Sequence, residues 1–85
     1  MKRIILDHPA HDQYREWAKE DKKIFEKISK LMDEIIIDPF HGTGKPEPLK
    51  YQYKGCWSRR IDKVHRLVYR VTDDAIIVIS CKYHY

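Results

Sequence analysis

"CWSRRIDKVHRLVYRVTDDAIIVISCKYHY", residues 56–85, is rich in β-branched and aromatic residues and is interrupted only at Asp62-Lys63-Val64 and Thr72-Asp73-Asp74. Such residues suit a pleated, half-buried surface, and connectors this short leave room only for hairpin turns. The stretch therefore reads as three consecutive antiparallel strands, "CWSRRI", "HRLVYRV" and "AIIVISCKYHY". "LKYQY" (49–53), set off by Lys54-Gly55, adds a fourth strand to the same meander. Strand side chains alternate between faces. In the last strand Ile77, Ile79 and Cys81 share one face, while Ile76, Val78, Ser80, Lys82 and His84 share the other. The second of these turns polar toward the end, which places His84 at the margin of an open sheet surface.

Upstream the period changes from two to three and four. Asp21 is a candidate N-cap for a helix in which Ile24, Phe25, Ile28, Leu31, Met32 and Ile35 form one apolar stripe, and Pro39 ends it. Before it, Ala10, Tyr14, Trp17 and Ala18 mark one face of a shorter helix running to about residue 19, with Asp7 as cap and Pro9 in its first turn. "KRIIL" (2–6) reads as a short strand. The expected fold is α+β: two N-terminal helices packed on a mainly antiparallel sheet, in one domain spanning 1–85. Eighty-five residues hold one modest core. With 42% hydrophobic and 35% charged residues and few Gly or Pro, disordered and collagen-like classes are excluded.

No apolar run is long enough to span a bilayer, and "MKRIILDHPAHD" has too few aliphatics for a signal-peptide core, so a cytoplasmic protein is expected. Cys56 and Cys81 stand alone, without metal-ligand or redox spacing, and read as free thiols. His8 and His11 are spaced i,i+3 but lack a third ligand nearby, so no metal site is expected there. Residues 1–42 carry 8 Lys/Arg against 9 Asp/Glu, a net of −1, whereas residues 43–85 carry 9 against 4, a net of +5. A polyanion-binding face gives such asymmetry, and so does a run of solvated strand lysines.

"DPFHGTGKPEP" (38–48), with three prolines and two glycines, is a loop that presents Glu47. Lys50 follows it, Arg59 and Arg60 precede one hairpin turn, His65 and Arg66 follow that turn, and His84 and Tyr85 close the chain. Arg60 and Arg66 flank the turn symmetrically and share a face if the register pairs them directly. Two adjacent guanidiniums favour an anion between them, and a phosphate fits with bidentate hydrogen bonds. A carboxylate and an imidazole on either side of a phosphodiester are the minimum set for acid-base cleavage.

"GTGKPEPLKY", "WSRRIDKVHRLVYRVTDD" and "CKYHY" resemble, in order and spacing, the YoeB type of toxin in the RelE superfamily, and the helical first half matches in layout. The resemblance implies a twisted, mainly antiparallel sheet under two helices. It also implies a ribosome-dependent endoribonuclease that cuts mRNA in the ribosomal A site, needs no cofactor or metal, and is neutralised by a YefM-like antitoxin; homodimers occur in such proteins. By position it assigns Glu47 as general base, His84 as general acid, Arg66 as the phosphate-stabilising residue with Arg60 and Lys50 beside it, and Tyr85 as the terminal tyrosine of the site. Lys54, Arg59, Lys63 and Arg70 become candidate contacts to RNA phosphates, including rRNA. The residue two before Arg66, often glutamate in the family, is Val64 here. The competing reading is a non-catalytic module that blocks translation by occupying the ribosome.

Overall fold

Asp21 divides the helical half in two. In a computed structural model that describes residues 2–83, its carboxylate accepts the backbone N–H groups of Lys23 (3.1 Å) and Ile24 (3.2 Å). It thereby caps α2 (Lys22–Ile37) and ends α1 (Ala10–Glu20). Such a cap is worth about 1 kcal/mol. Ile28, Leu31, Met32 and Ile35 of α2 are buried, as their spacing requires, with Ile24 and Phe25 packed at the margin. On α1, Ala10 and Trp17 are buried and Tyr14 stacks on Phe25 at 4.5 Å, whereas Ala18 faces solvent. The helix starts at Ala10 with Pro9 in the cap position, and Asp7 instead receives the N–H of His8.

The sheet has five strands in the order β1-β5-β4-β3-β2: β1 (Arg3–Leu6), β2 (Glu47–Pro48), β3 (Cys56–Arg60), β4 (Arg66–Val71) and β5 (Ala75–Ser80). β2 through β5 form the expected antiparallel meander, and β1 pairs parallel to β5. The fourth strand differs from the reading of "LKYQY". Pairing is limited to Glu47 and Pro48 at the edge, where a proline is tolerated, and Tyr51–Tyr53 turn into one 3₁₀ turn with Tyr51 at φ 57°.

One face of the sheet packs on the helices through Leu67, Tyr69, Ile76, Val78 and Cys81. The other carries a smaller cluster of Leu49, Cys56 and Val68, against which Ile79 packs. Cys81 thus joins Ile76 and Val78 rather than Ile79, contrary to strict alternation. The reason is an irregularity opposite Val68/Tyr69, where Val68 pairs Ser80 but Tyr69 pairs Val78, so one extra residue resets the faces. Both cysteines are free and buried, and among the described residues no helix is long and apolar enough to cross a membrane.

Candidate active site on the open sheet face

The register settles which side chains share the face away from the helices. Arg60 pairs with Arg66, and Ser58 lies between Glu47 of β2 and Val68 of β4, so Glu47, Ser58, Arg60, Arg66 and Val68 point the same way. Glu47 and Arg66 meet there, Oε1 to Nη1 at 3.4 Å, with the arginine side chain mostly covered (21% exposed) and the carboxylate half open (52%). Arg60 is exposed directly across from Arg66. Ser58 Oγ is fully buried and, among the described residues, has no hydrogen-bond partner.

The same region of the loop forms a depression of about 370 Å³, running from Glu47 past Lys50 to Tyr53, with Lys50 exposed on it. Lys54, Lys63 and Arg70 are exposed as well, at the 54–55 turn, the 62–64 turn and on β4 respectively. Val64 sits in the second of these turns, half exposed, its N–H donated to Asp62 at 2.8 Å. His84 and Tyr85 lie outside the described residues. The chain leading to them is held in place. The N–H of Arg66 donates to the Tyr83 carbonyl (3.2 Å), and Trp17 Nε1–H donates to the Cys81 carbonyl (2.9 Å).

Arg59 is a correction. Its side chain is fully buried on the helix side of the sheet and cannot meet RNA phosphates. All five of its N–H donors are used, on Tyr69 Oη (3.2 Å), Glu34 Oε1 (3.2 Å) and the carbonyls of Thr43 (3.2 Å), Asp38 (2.8 Å) and His41 (2.9 Å). Adjacent strand residues point to opposite faces, so of Arg59 and Arg60 only one could reach the open side; that was the signal in the sequence.

The arginine works instead as the post around which loop 38–44 is wound. Tyr69 Oη donates to the Pro39 carbonyl at 2.6 Å, and burial raises the Tyr69 hydroxyl above its ordinary range. The backbone N–H of Thr43 donates to Glu34 and, with the nearby Arg59, holds that carboxyl below its ordinary range. Gly42 and Gly44 allow the close approach. A Cβ on Gly42 would stand 2.8 Å from Arg59 Nη1, and one on Gly44 would stand 2.9 Å from the Arg60 carbonyl, both at φ values that L-residues avoid. The loop then docks on β3, Arg60 N–H to Gly44 O at 2.7 Å, and delivers Glu47 to the sheet edge.

Among the described residues no group of three His, Cys, Asp or Glu side chains is placed to hold a metal ion. His8 instead lies beside Asp12, Nδ1 to Oδ2 at 3.5 Å.

A two-helix, five-stranded domain with a carboxylate and arginines gathered on its open sheet face has the architecture of the small toxins of bacterial type II toxin-antitoxin systems. Within that class the chain belongs to the YoeB-like toxins, whose family model matches residues 6–85. It is 47% identical to toxin YoeB of Escherichia coli K12 over 98% of this chain and 99% of that one. It superposes on the YoeB dimer from Staphylococcus aureus with TM-score 0.91 and 42% identity, covering 99% and 98% of the two chains. The YoeB-YefM heterotetramer of S. aureus gives TM-score 0.90 at 42% identity, over 100% and 99%.

Proposed function

We propose that this toxin is a metal-independent, ribosome-dependent endoribonuclease that cuts mRNA in the A site and so stops translation. The observation that carries the reading is the Glu47–Arg66 pair on the open face, with Arg60 opposite and the Tyr83 carbonyl bound to the Arg66 N–H. A base, a cation for phosphate and the chain segment that continues to His84 converge on the start of β4.

In this mechanism an incoming phosphate displaces the Glu47 carboxylate from Arg66. Glu47 takes the proton from the RNA 2′-OH, and the oxygen attacks the adjacent phosphorus. His84, as imidazolium, protonates the departing 5′-oxygen, and Tyr85 is assigned to the same site as the family's terminal tyrosine. The products are a 2′,3′-cyclic phosphate and a 5′-OH end. Acid-base catalysis of this kind contributes roughly 10²–10⁴-fold. Arg66 and Arg60 stabilise the charge that builds on the phosphorane, and Lys50 attracts the flanking phosphate. Lys54, Lys63 and Arg70 face rRNA phosphates, and the ribosome supplies the in-line orientation that so small a site lacks.

The basic, half-open face also suits an acidic antitoxin segment that folds on binding and excludes RNA. The YoeB-YefM complex of S. aureus supports a YefM-like partner, and the S. aureus dimer supports a homodimer. Such a protein acts where ribosomes are, in the cytoplasm.

The test maps 5′-ends of message after incubation with ribosomes. Wild-type protein is expected to cut within the A-site codon, and Glu47→Ala and His84→Ala to lose at least roughly 10²-fold in rate. Cleavage of a message with a 2′-O-methyl group at the scissile nucleotide would sink the mechanism. Translation arrest that persists in His84→Gln, with no cut message, would assign the function to occupancy.

A further inference from the structure

His65 lies next to Arg66 in sequence and has no part in the acid-base scheme, yet it makes a short hydrogen bond to the chain's last described residue. Its Nδ1 accepts the backbone N–H of Tyr83 at 2.7 Å. The next residue, Arg66 at the start of β4, donates its N–H to the carbonyl of the same Tyr83 at 3.2 Å. Both backbone groups of Tyr83 are therefore held by consecutive residues.

The ring is not free to move away. It makes a T-shaped contact with Trp17, centroids 4.8 Å apart at 75°, and lies 5.7 Å from the Tyr83 ring. The backbone beneath it is fixed by the turn: the His65 N–H donates to Asp62 Oδ1 at 2.7 Å, and its carbonyl accepts the Ile61 N–H at 3.0 Å. Partial burial works against the Asp62 charge, but the N–H groups of His65 and Val64 outweigh it and hold that carboxyl below its ordinary range.

Tyr83 itself has φ 64°, a left-handed conformation that is unfavourable for a residue with a Cβ and persists where surrounding contacts enforce it. Two residues earlier the chain is tied again, Cys81 N–H to Gln13 Oε1 at 2.7 Å. Tyr83 is thus a strained residue clamped at both backbone groups, one peptide bond before the proposed general acid.

We propose that His65 is a positioning residue, its Nδ1 clipping Tyr83 to the start of β4 and so anchoring the backbone one residue before the proposed acid, His84. The inference rests on the nuclease reading for its catalytic consequence but not for the clip itself. An acceptor at Nδ1 requires the ring nitrogen without its proton, so the function belongs to one atom and can be separated from the bulk of the ring. Asparagine puts an oxygen close to where Nδ1 stands. Glutamine puts its oxygen nearer Nε2, and phenylalanine keeps the packing on Trp17 with no acceptor.

The experiment compares wild type, His65→Asn, His65→Gln and His65→Phe in two assays. The first is amide hydrogen exchange at Tyr83 in the free protein, read by NMR, with thermal unfolding to show that each variant is folded. The second is single-turnover cleavage of ribosome-bound message. Protection at Tyr83 is expected to survive in His65→Asn and to vanish in His65→Phe and His65→Gln. The cleavage rate at saturation should fall about 10- to 100-fold in the latter two, the scale of a displacement near 1 Å, with KM changed less than about twofold, while His65→Asn stays within about threefold of wild type. Undiminished Tyr83 protection in a folded His65→Phe or His65→Gln protein overturns the clip, as does a His65→Asn variant as impaired as His65→Phe, which would assign the ring to packing. Lost protection with undiminished cleavage overturns the positioning role. If wild-type protein cuts no message, the nuclease reading fails, and Tyr83 exchange alone still decides whether His65 holds the tail.

Discussion

Replacing Arg59 with methionine separates a structural arginine from an RNA contact. Methionine fills much of the same volume, so the change removes the guanidinium without opening a large cavity. What it abandons is specific: three loop carbonyls (Asp38, His41, Thr43), the Tyr69 hydroxyl and the Glu34 carboxylate lose the donors that satisfy them. Glu34 is 40% exposed and regains water, but the carbonyls face a sealed guanidinium site and Tyr69 is fully buried. An enclosed acceptor left without its donor costs about 1–3 kcal/mol, and the four here, three carbonyls and the Tyr69 hydroxyl, put the loss at roughly 3–5 kcal/mol once partial relaxation is allowed for. We take that range for the whole site, because the bonds act as a unit and do not add. A domain of this size has roughly 4–13 kcal/mol of stability in all. Urea unfolding of Arg59→Met should therefore show a loss of at least about 3 kcal/mol, and the melting temperature should fall by roughly 12 °C or more. Arg59→Lys keeps the charge but offers three donors in place of a planar five-donor fork, and should fall between. A methionine variant within about 1 kcal/mol of wild type, with its defect confined to ribosome binding, would refute this account and return Arg59 to the RNA interface.

Gly44→Ala should cost about 1–3 kcal/mol by chemical denaturation, because φ +87° and a Cβ 2.9 Å from the Arg60 carbonyl force the loop off β3. Full stability in that variant would show that the loop relaxes at no cost. Ser58→Ala removes a buried hydroxyl that has no partner among the described residues and should be neutral or stabilising by up to about 1 kcal/mol in urea unfolding; a loss above about 1 kcal/mol would reveal an acceptor for it. Burial pushes the Cys81 thiol up to about 12 and also raises Tyr69. Both groups are kept neutral in the fold and ionise more readily in the unfolded chain, so stability from this source is complete below about pH 8.5 and declines as the pH rises toward 12. Unfolding midpoints from pH 7 to 11 should follow that course, with a shallower decline in Cys81→Ala, and a midpoint that rises with pH would contradict it.

The helical half was legible because its information is local. The three- and four-residue spacing from Ile24 to Ile35 and the cap at Asp21 are satisfied within one turn or one helix face. The meander was legible for the same reason, its turns being marked by short polar connectors. The parallel partnership of β1 with β5 was not, since nothing near Arg3–Leu6 encodes which distant edge it will join. The reading of Tyr51–Tyr53 as strand failed because aromatic composition favours β structure on average, while Pro48 and the positive φ of Tyr51 turn this segment away from the sheet. At the site, symmetry about the 62–64 turn correctly paired Arg60 with Arg66. Charge counting misplaced Arg59, because a sum over residues does not distinguish a cation facing solvent from one enclosed by carbonyls. The roles of Gly42 and Gly44 could be seen only once that cation was known to lie beneath them.

The parallel pairing also bears on how the molecule is made. Arg3–Leu6 must wait for Ala75–Val78, about seventy residues later, before its backbone groups find their partners, and such long closures are what slow folding. A nascent chain can form its helix pair early, but the interior position of β5, between β1 and β4, is filled only once residues 75–80 have been made. Emergence of β5 is therefore the event that joins β1 to the meander, completes the sheet and brings Tyr83 to the start of β4.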